Sequence, residues 1–184
     1  MKTKSRWLWI PLVITNITCT LAQIAVYKCE NGKVLLHSDA SLEVIQARCN
    51  KLKGVIDPVN QTFAWSVEVR FFEGFNSPLQ REHFNENYME TGKYPKASFS
   101  GKIIEKTDFS QPGLKIIRAK GKLNIHGVEQ ERILKCQVEN KGGQLFIKAE
   151  FTVPVADHNI AIPKIVHQKI AEEIKVTVDA IMIE

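Results

Sequence analysis

The sequence predicts an all-β fold, an antiparallel eight-stranded β-barrel with two or three short helices at its ends. Apolar and polar side chains alternate with a period of two through most of the chain, which indicates strands that bury one face. No interval shows the repeated strand–helix alternation of a parallel sheet. Eight or nine amphipathic strands joined in order can bury one face and lose their exposed edges by closing into a barrel.

Five runs show the alternation most clearly, and each of them predicts one strand. In the first run, Phe63, Trp65 and Val67 alternate with Ala64 and Ser66. The five runs cover residues 62–72, 96–107, 113–125, 144–153 and 173–183.

Turn signals and short helical patterns separate the strands. The predicted turns lie at residues 30–32 (Glu-Asn-Gly), 126–127 (His-Gly) and 140–143 (Asn-Lys-Gly-Gly). Helical spacing or a proline at the first turn predicts short helices over residues 41–50, 78–89 and 165–173. We expect these helices to cover the ends of the barrel.

The first 22 residues have the layout of a secretory signal peptide. Lys2, Lys4 and Arg6 precede an apolar run that ends at residue 21, and Ala22 places a small residue before the expected cleavage point. The alternative is an uncleaved membrane anchor, but the run is shorter than the ~20 apolar residues of a spanning helix and contains polar side chains. We therefore expect an exported protein whose single barrel domain covers residues 23–184, with no stable membrane span after cleavage.

The predicted signal peptide carries much of the positive charge. The whole chain has 25 basic and 20 acidic residues. Three of the basic residues and none of the acids precede residue 23, so the remainder carries 22 minus 20, a net charge of +2. Acids and bases also alternate along this remainder, whereas a nucleic-acid partner needs clustered lysines and arginines, so we expect no nucleic-acid partner.

Three cysteines follow the predicted signal peptide. Cys29, Cys49 and Cys136 form no CxxC pair, which disfavours a thiolate zinc site. In an oxidising compartment, Cys29 and Cys49 are the disulfide candidates nearest in sequence, and plain burial of both is the alternative. Cys136 falls on an inward strand position, where a free thiol packs as a small apolar side chain.

The interior of an eight-stranded barrel is either filled by side chains or holds one small ligand. Several predicted inward positions carry small residues, which leave room that larger side chains would fill. These positions are Ala97, Gly101, Ala119, Gly121, Ala149 and Ala180. We therefore expect a cavity, and a filled barrel is the alternative.

Three segments resemble the YceI-like family of exported bacterial proteins. Residues 94–99 (Tyr-Pro-Lys-Ala-Ser-Phe) are similar to a Tyr-Pro-x-small-x-Phe strand start in that family, and residues 121–128 to its Gly-x-Leu-x-x-His-Gly-Val corner. The alternating C-terminal run is the third segment. The resemblance extends from about residue 27 to the C-terminus.

The resemblance implies a lipocalin-like barrel, periplasmic or secreted, whose pore binds a polyisoprenoid, a quinone or another lipid. It implies no catalytic residues and no cofactor. Apolar side chains would line the pore, and the predicted lining is Phe63, Trp65, Val67, Phe71, Phe99, Ile117, Ala119, Gly121, Leu123, Leu134, Ile147, Phe151, Val176 and Val178.

Arg132 departs from the family, which usually has an apolar residue at this position. Its alternation with Leu134, Cys136 and Val138 predicts that it faces inward near a barrel end. A buried charge without a partner is costly, so Arg132 either pairs with an acid or with solvent at the rim or contacts the head group of a ligand.

The sequence contains no motif of a common enzyme class, such as HExxH, Gly-x-Ser-x-Gly or a Walker loop. Glu82, Glu86 and Glu90 share a helical spacing, which is more typical of a solvated face than of a metal or catalytic site. We therefore expect a lipid carrier that is not an enzyme and holds no metal. The alternative is a filled barrel that serves as a structural or interaction module of the cell envelope, and a homodimer is compatible with either.

Overall fold

The computed structural model describes residues 26–184 as a closed barrel. Eight antiparallel strands pair in chain order, and the last strand pairs back on the first, which confirms the predicted fold. The strands are β1 (Tyr27–Asp39), β2 (Val44–Asp57), β3 (Thr62–Glu68), β4 (Lys96–Ile103), β5 (Gly113–Ile125), β6 (Val128–Lys141), β7 (Gln144–Pro154) and β8 (Glu173–Met182). The signal peptide predicted at residues 1–22 lies outside the described residues. Within the described part, no helix is both long and apolar enough to span a membrane.

Two of the predicted turns close hairpins with positive backbone φ angles. His126 and Gly127 have φ angles of 52° and 74° between β5 and β6, and Gly142 and Gly143 have φ angles of 60° and 83° between β6 and β7. Two consecutive residues with positive φ form the type I′ turn, whose twist matches that of the flanking strands. These turns set the register of the β5–β6 and β6–β7 ladders, and they lie at opposite ends of the barrel.

The predicted helix at residues 41–50 is wrong. This stretch contains the start of β2, in which Ile45, Ala47 and Cys49 are buried and the residues between them are exposed. Leu42, Ile45 and Cys49 also fit a helical spacing, so the short apolar pattern is ambiguous. Hydrogen-bonded pairing with β1 makes this stretch a strand and not a helix.

The predicted turn at residues 30–32 is also wrong. These residues lie inside β1, where the register with β2 shifts on both sides of Gly32. A Cβ atom at Gly32 would lie 3.1 Å from the Leu52 side chain and 3.2 Å from that of Ala180. A glycine inside a strand marks this kind of bulge and close approach.

Two long connections cover one end of the barrel, which is termed the capped end. Cap A, residues 69–95, joins β3 to β4 and contains a 3-10 turn (Val69–Phe71), helix α1 (Pro78–His83) and a π-helical turn (Phe84–Tyr88). Cap B, residues 155–172, joins β7 to β8 through two 3-10 turns (Val155–His158 and Lys164–Val166). The helix predicted at 78–89 is therefore present, whereas the one predicted at 165–173 is reduced to a single 3-10 turn.

Short connections and bulky side chains close the opposite end, which is termed the plugged end. Phe109, from the connection between β4 and β5, is buried and packs edge-on against Tyr27, with ring centroids 6.3 Å apart. Leu145 and Met182 complete the centre of this core. The barrel is therefore filled at the plugged end.

Candidate functional site

The barrel encloses an apolar cavity on the side of the caps. Its volume is about 280 Å³, and every strand contributes to its wall; one enclosed water needs roughly 10–15 Å³. Along β7 the wall runs from Val153 to Ile147, which is roughly 20 Å of strand at ~3.3 Å per residue. At a strand tilt of ~40° this corresponds to about 15 Å along the barrel axis. The cavity is therefore deep.

Inward side chains of the cavity wall remain partly exposed. Trp65, Leu134 and Phe151 face the barrel axis and are nevertheless only half-buried. At the plugged end, Leu145 and Met182 also face the axis and are 0% exposed. The exposed surface of the first three side chains therefore faces unfilled space inside the barrel.

Most of the predicted pore residues lie on the cavity wall. Phe63, Ala119 and Ile147 also belong to the core of the plugged end, so they form the floor of the cavity. The predicted residues found on the wall are Phe63, Trp65, Val67, Phe99, Ala119, Leu123, Leu134, Ile147, Phe151, Val176 and Val178.

Phe71, Ile117 and Gly121 do not line the cavity. Phe71 lies in the 3-10 turn that ends the alternation of β3, and the Lys51 ammonium lies 3.7 Å from its ring centroid. Ile117 is buried in the core of the plugged end. A Cβ atom at Gly121 would lie 2.3 Å from the backbone oxygen of Ser100, so this glycine permits the close approach of β4 and β5.

The caps supply wall residues that the sequence analysis did not identify. In cap A, the ring of Phe84 packs against those of Phe72 and Phe75, with centroids 6.0 and 4.9 Å away. Ile160 and Ile170 of cap B also line the cavity. Irregular segments have no periodicity that marks an inward face, so their apolar residues could not be assigned to the cavity from the sequence.

The cavity wall is almost free of ionisable groups. Among residues 26–184, no Asp, Glu, Lys, Arg or His lines it. Burial raises the pKa of the Tyr88 hydroxyl and raises the pKa of the Cys136 thiol to about 11, so both groups are neutral at physiological pH. The arrangement suits an uncharged, apolar chain.

Arg132 ties cap B to β6. Its Nη2 donates a hydrogen bond to Oδ2 of Asp157 at 2.9 Å, and the side chain of Gln130 donates to the backbone oxygen of Asp157 at 2.8 Å. Arg132 is not part of the cavity wall. This geometry matches the rim pairing, which was one of the two alternatives for Arg132.

The corner at residues 126–127 connects the two caps. Nδ1 of His126 lies 3.1 Å from the backbone oxygen of His158 in cap B, and Nε2 lies 2.7 Å from Oε2 of Glu90 in cap A. The ring of Tyr94 packs edge-on against that of His126 at 4.6 Å. The Tyr-Pro and His-Gly motifs therefore have a structural role, because they hold both caps over the barrel end.

His158 is a buried histidine of cap B. It is 0% exposed, its Nδ1 lies 3.1 Å from the backbone oxygen of Val128, and its Nε2 has no hydrogen-bond partner among the described residues. Burial lowers its pKa from the ordinary value of 6.5, more than the backbone oxygens around it raise it. The neutral form is therefore favoured in the folded protein.

The three cysteines among residues 26–184 are free thiols. Cys29 and Cys49 are both buried and lie opposite Gly54 and Val34 in the β1–β2 ladder, so they do not face each other. The two alternatives for this pair were a disulfide and plain burial, and the structure shows plain burial. Within the described part of the chain, no group of three or more His, Cys, Asp or Glu side chains is placed to hold a metal ion.

Several solved structures share this fold. A polyisoprenoid binding domain from Saccharophagus degradans has a TM-score of 0.73 at 12% identity, over 87% of this chain and 98% of that chain. Burkholderia cenocepacia BcnA has a TM-score of 0.68 at 15% identity, over 82% and 95% of the two chains. A Campylobacter jejuni YCEI protein has a TM-score of 0.54 at 12% identity, over 98% and 97%. Identities this low show a common fold and nothing more.

The sequence itself identifies the family. No curated relative matches it. The family model of the YceI-like domain, in contrast, matches residues 34–182, which include nearly all of the barrel. This chain therefore belongs to the YceI-like family.

Proposed function

We propose that this protein is an exported carrier, not an enzyme, that holds the long apolar chain of a polyisoprenoid, a quinone or another lipid in its barrel. The observation that carries the proposal is the unfilled, apolar space inside the barrel. Inward side chains such as Trp65, Leu134 and Phe151 line this space and are only half-buried. The description of the Saccharophagus degradans structure as a polyisoprenoid binding domain supports the class of ligand.

The energetics favour a long chain over a small molecule. Burial of each CH₂ contributes ~0.8 kcal/mol, whereas association costs roughly 4–15 kcal/mol. A ligand held by apolar contact therefore needs on the order of ten to twenty buried carbons. A cavity about 15 Å deep and without charged side chains fits an extended chain of this kind.

The compartment follows from the proposed signal peptide. Cleavage after Ala22 would release the barrel into the periplasm or the external medium. There the protein would hold an insoluble chain in water. Intact mass measurement of the exported protein tests this, because it should begin at residue 23.

Titration followed by the fluorescence of Trp65 tests the carrier function. Two of the three tryptophans lie in residues 1–22, so Trp65 is the only one in the cleaved chain, and it lines the cavity. Prenyl alcohols of increasing length should change its emission, and affinity should rise about fourfold per buried carbon, on the order of a thousandfold per five-carbon isoprene unit, until the cavity is filled.

Two alanine-to-phenylalanine variants provide the decisive comparison. Ala149 lies on the cavity wall, whereas Ala64 lies on the outer face of β3. We expect Ala149→Phe to abolish the titration because its ring would occupy the cavity, and Ala64→Phe to leave it unchanged. Equal binding by both variants, or no binding by the wild type, would favour a structural module of the envelope over a carrier.

A further inference from the structure

We propose that the capped end of the barrel docks onto a lipid bilayer through Leu42, Leu79 and Ile165, so that the cavity exchanges its chain directly with the membrane. This inference rests on the proposed carrier function and concerns the route of the cargo. The three side chains are termed the docking patch.

The docking patch combines three separate segments at one end of the barrel. Leu42 lies in the loop between β1 and β2, Leu79 in helix α1 of cap A, and Ile165 in cap B. Their exposed fractions are 67%, 57% and 92%. All three side chains project into solvent, and none of them contributes to the core.

Hydrogen bonds hold these segments next to one another. The backbone nitrogen of Leu42 donates to the backbone oxygen of Gln168 in cap B at 2.8 Å. Oε1 of Glu43 accepts from Nε2 of Gln80 at 3.0 Å and from Nδ2 of Asn76 at 2.9 Å, both in cap A. The β1–β2 loop is thereby fixed between the two caps, which makes the three apolar side chains one patch.

The docking patch adjoins the part of the cavity wall that the caps form. Gln80 follows Leu79 in helix α1, lines the cavity and is partly exposed. Ile162 and Ile170, on either side of Ile165 in cap B, also line the cavity and are partly exposed. A chain that passes between the caps at this point would therefore leave the cavity at the docking patch.

The charge beside the docking patch suits a lipid headgroup region. Residues 164–169 carry Lys164, His167 and Lys169 and no acid. The nearby carboxylate of Glu43 is ionised, because hydrogen bonds from Asn76 and Gln80 lower its pKa, and its single charge is smaller than that of the two lysines of residues 164–169. Lysines next to exposed apolar side chains favour binding to membranes that contain anionic lipids.

A bilayer fits the docking patch better than a protein partner does. A stable protein interface buries roughly 800 Å² on each partner, which is more than three side chains of this size expose. Shallow insertion of a few apolar side chains requires no such area. A chain of ten or more carbons also has a large free-energy barrier to leaving a membrane for water, so a carrier gains from contact between its opening and the bilayer.

Vesicle co-sedimentation tests the proposal. The cleaved protein would be mixed with vesicles of phosphatidylcholine alone or of phosphatidylcholine with phosphatidylglycerol. We expect the wild type to bind both, and Leu42→Ser/Leu79→Ser/Ile165→Ser to bind at least tenfold more weakly. The matched control, Leu114→Ser/Ile116→Ser, changes two equally exposed residues on β5 near the plugged end and should bind like the wild type. Lys164→Gln/Lys169→Gln should weaken binding only to vesicles that contain phosphatidylglycerol.

Loading from detergent micelles separates docking from cargo binding. The fluorescence of Trp65 should report the same uptake of a prenyl alcohol from micelles by the wild type and by the docking-patch variant. Docking is overturned if the wild type binds neither type of vesicle, if the control variant loses as much binding as the docking-patch variant, or if the docking-patch variant converts a dimer into a monomer, which would assign the patch to a second copy. Absence of uptake from micelles by the wild type overturns the carrier function, whatever the vesicles show.

Discussion

The plugged and capped ends of the barrel consist of the same eight strands, yet they bury their inward side chains to different extents. At the plugged end, Leu145 and Met182 leave no exposed surface, and Phe109 closes the opening between the strands. At the capped end, Leu134 and Phe151 keep part of their surface exposed to a cavity. Caps A and B cover the barrel at this end, and neither cap belongs to the strand ladder.

This difference indicates a division of roles within one barrel. Buried apolar surface stabilises a fold in proportion to its area, so the plugged end contributes most of the stability of the core. The capped end leaves inward apolar surface unburied, which costs stability unless a ligand covers it. The ladder that closes the barrel is common to both ends.

Deletion of a large side chain should affect the two ends very differently. Leu145→Ala should lower the free energy of unfolding by about 2–5 kcal/mol, because it opens a hole in a filled core. Leu134→Ala should lower it by less than about 1 kcal/mol, because Leu134 already borders empty space. Urea unfolding of the ligand-free variants measures both. Equal losses would mean that the capped end is also filled in solution.

The contact between β4 and β5 is so close that we expect it to leave no room for an added methyl group. A Cβ atom at Gly101 would lie 2.1 Å from the backbone oxygen of Lys120, so Gly101→Ala should cost about 1–3 kcal/mol of stability. Gly92 of cap A has open space around it, and Gly92→Ala should be neutral or slightly stabilising. Thermal unfolding would compare the two variants, and a larger loss at Gly92 would contradict the packing described for the ladder.

Acid should destabilise the capped end through His158. Burial holds the pKa of His158 below 6.5, so the unfolded chain takes up its proton at a higher pH than the folded chain does. Stability is therefore complete above about pH 6.5 and falls as the pH decreases below it, by at most ~1.4 kcal/mol per pH unit for one proton. His158→Gln should reduce this slope in urea unfolding between pH 7 and pH 5. An unchanged slope would assign the acid sensitivity to other groups.

Removal of the Arg132 charge should have the smallest effect on stability. The ion pair with Asp157 is partly exposed, so Arg132→Gln should cost less than about 1 kcal/mol. It should also leave the affinity for prenyl alcohols unchanged, because Arg132 does not line the cavity. A tenfold loss of affinity for a phosphorylated prenyl chain in the Trp65 titration would instead place Arg132 in contact with the head group.

The sequence predicted the ladder better than it predicted the caps. The strand predicted at 113–125 coincides with β5, because small or apolar inward residues alternate with polar outward ones without interruption from residue 117 to residue 125. The start of β2 was misread because its few apolar positions fit two periods. Gly32 was taken for a turn because the sequence does not reveal a bulge inside a strand.

The site was predicted only where the strands form it. Trp65, Leu123 and Phe151 were found because alternation marks the inward face of a strand. Phe84 and Ile160 were missed because irregular connections have no such face until they fold over the barrel. The pairing of Arg132 with Asp157 joins residues 25 positions apart, and no local pattern reports a contact of that range.

Native mass spectrometry of the protein purified from the cells that make it, or from their medium, tests the central claim most directly. The account predicts a folded monomer mass plus that of an apolar chain, which solvent releases and which Ala149→Phe lacks. A wild-type protein that is folded, carries no such molecule and takes none up from micelles would contradict it.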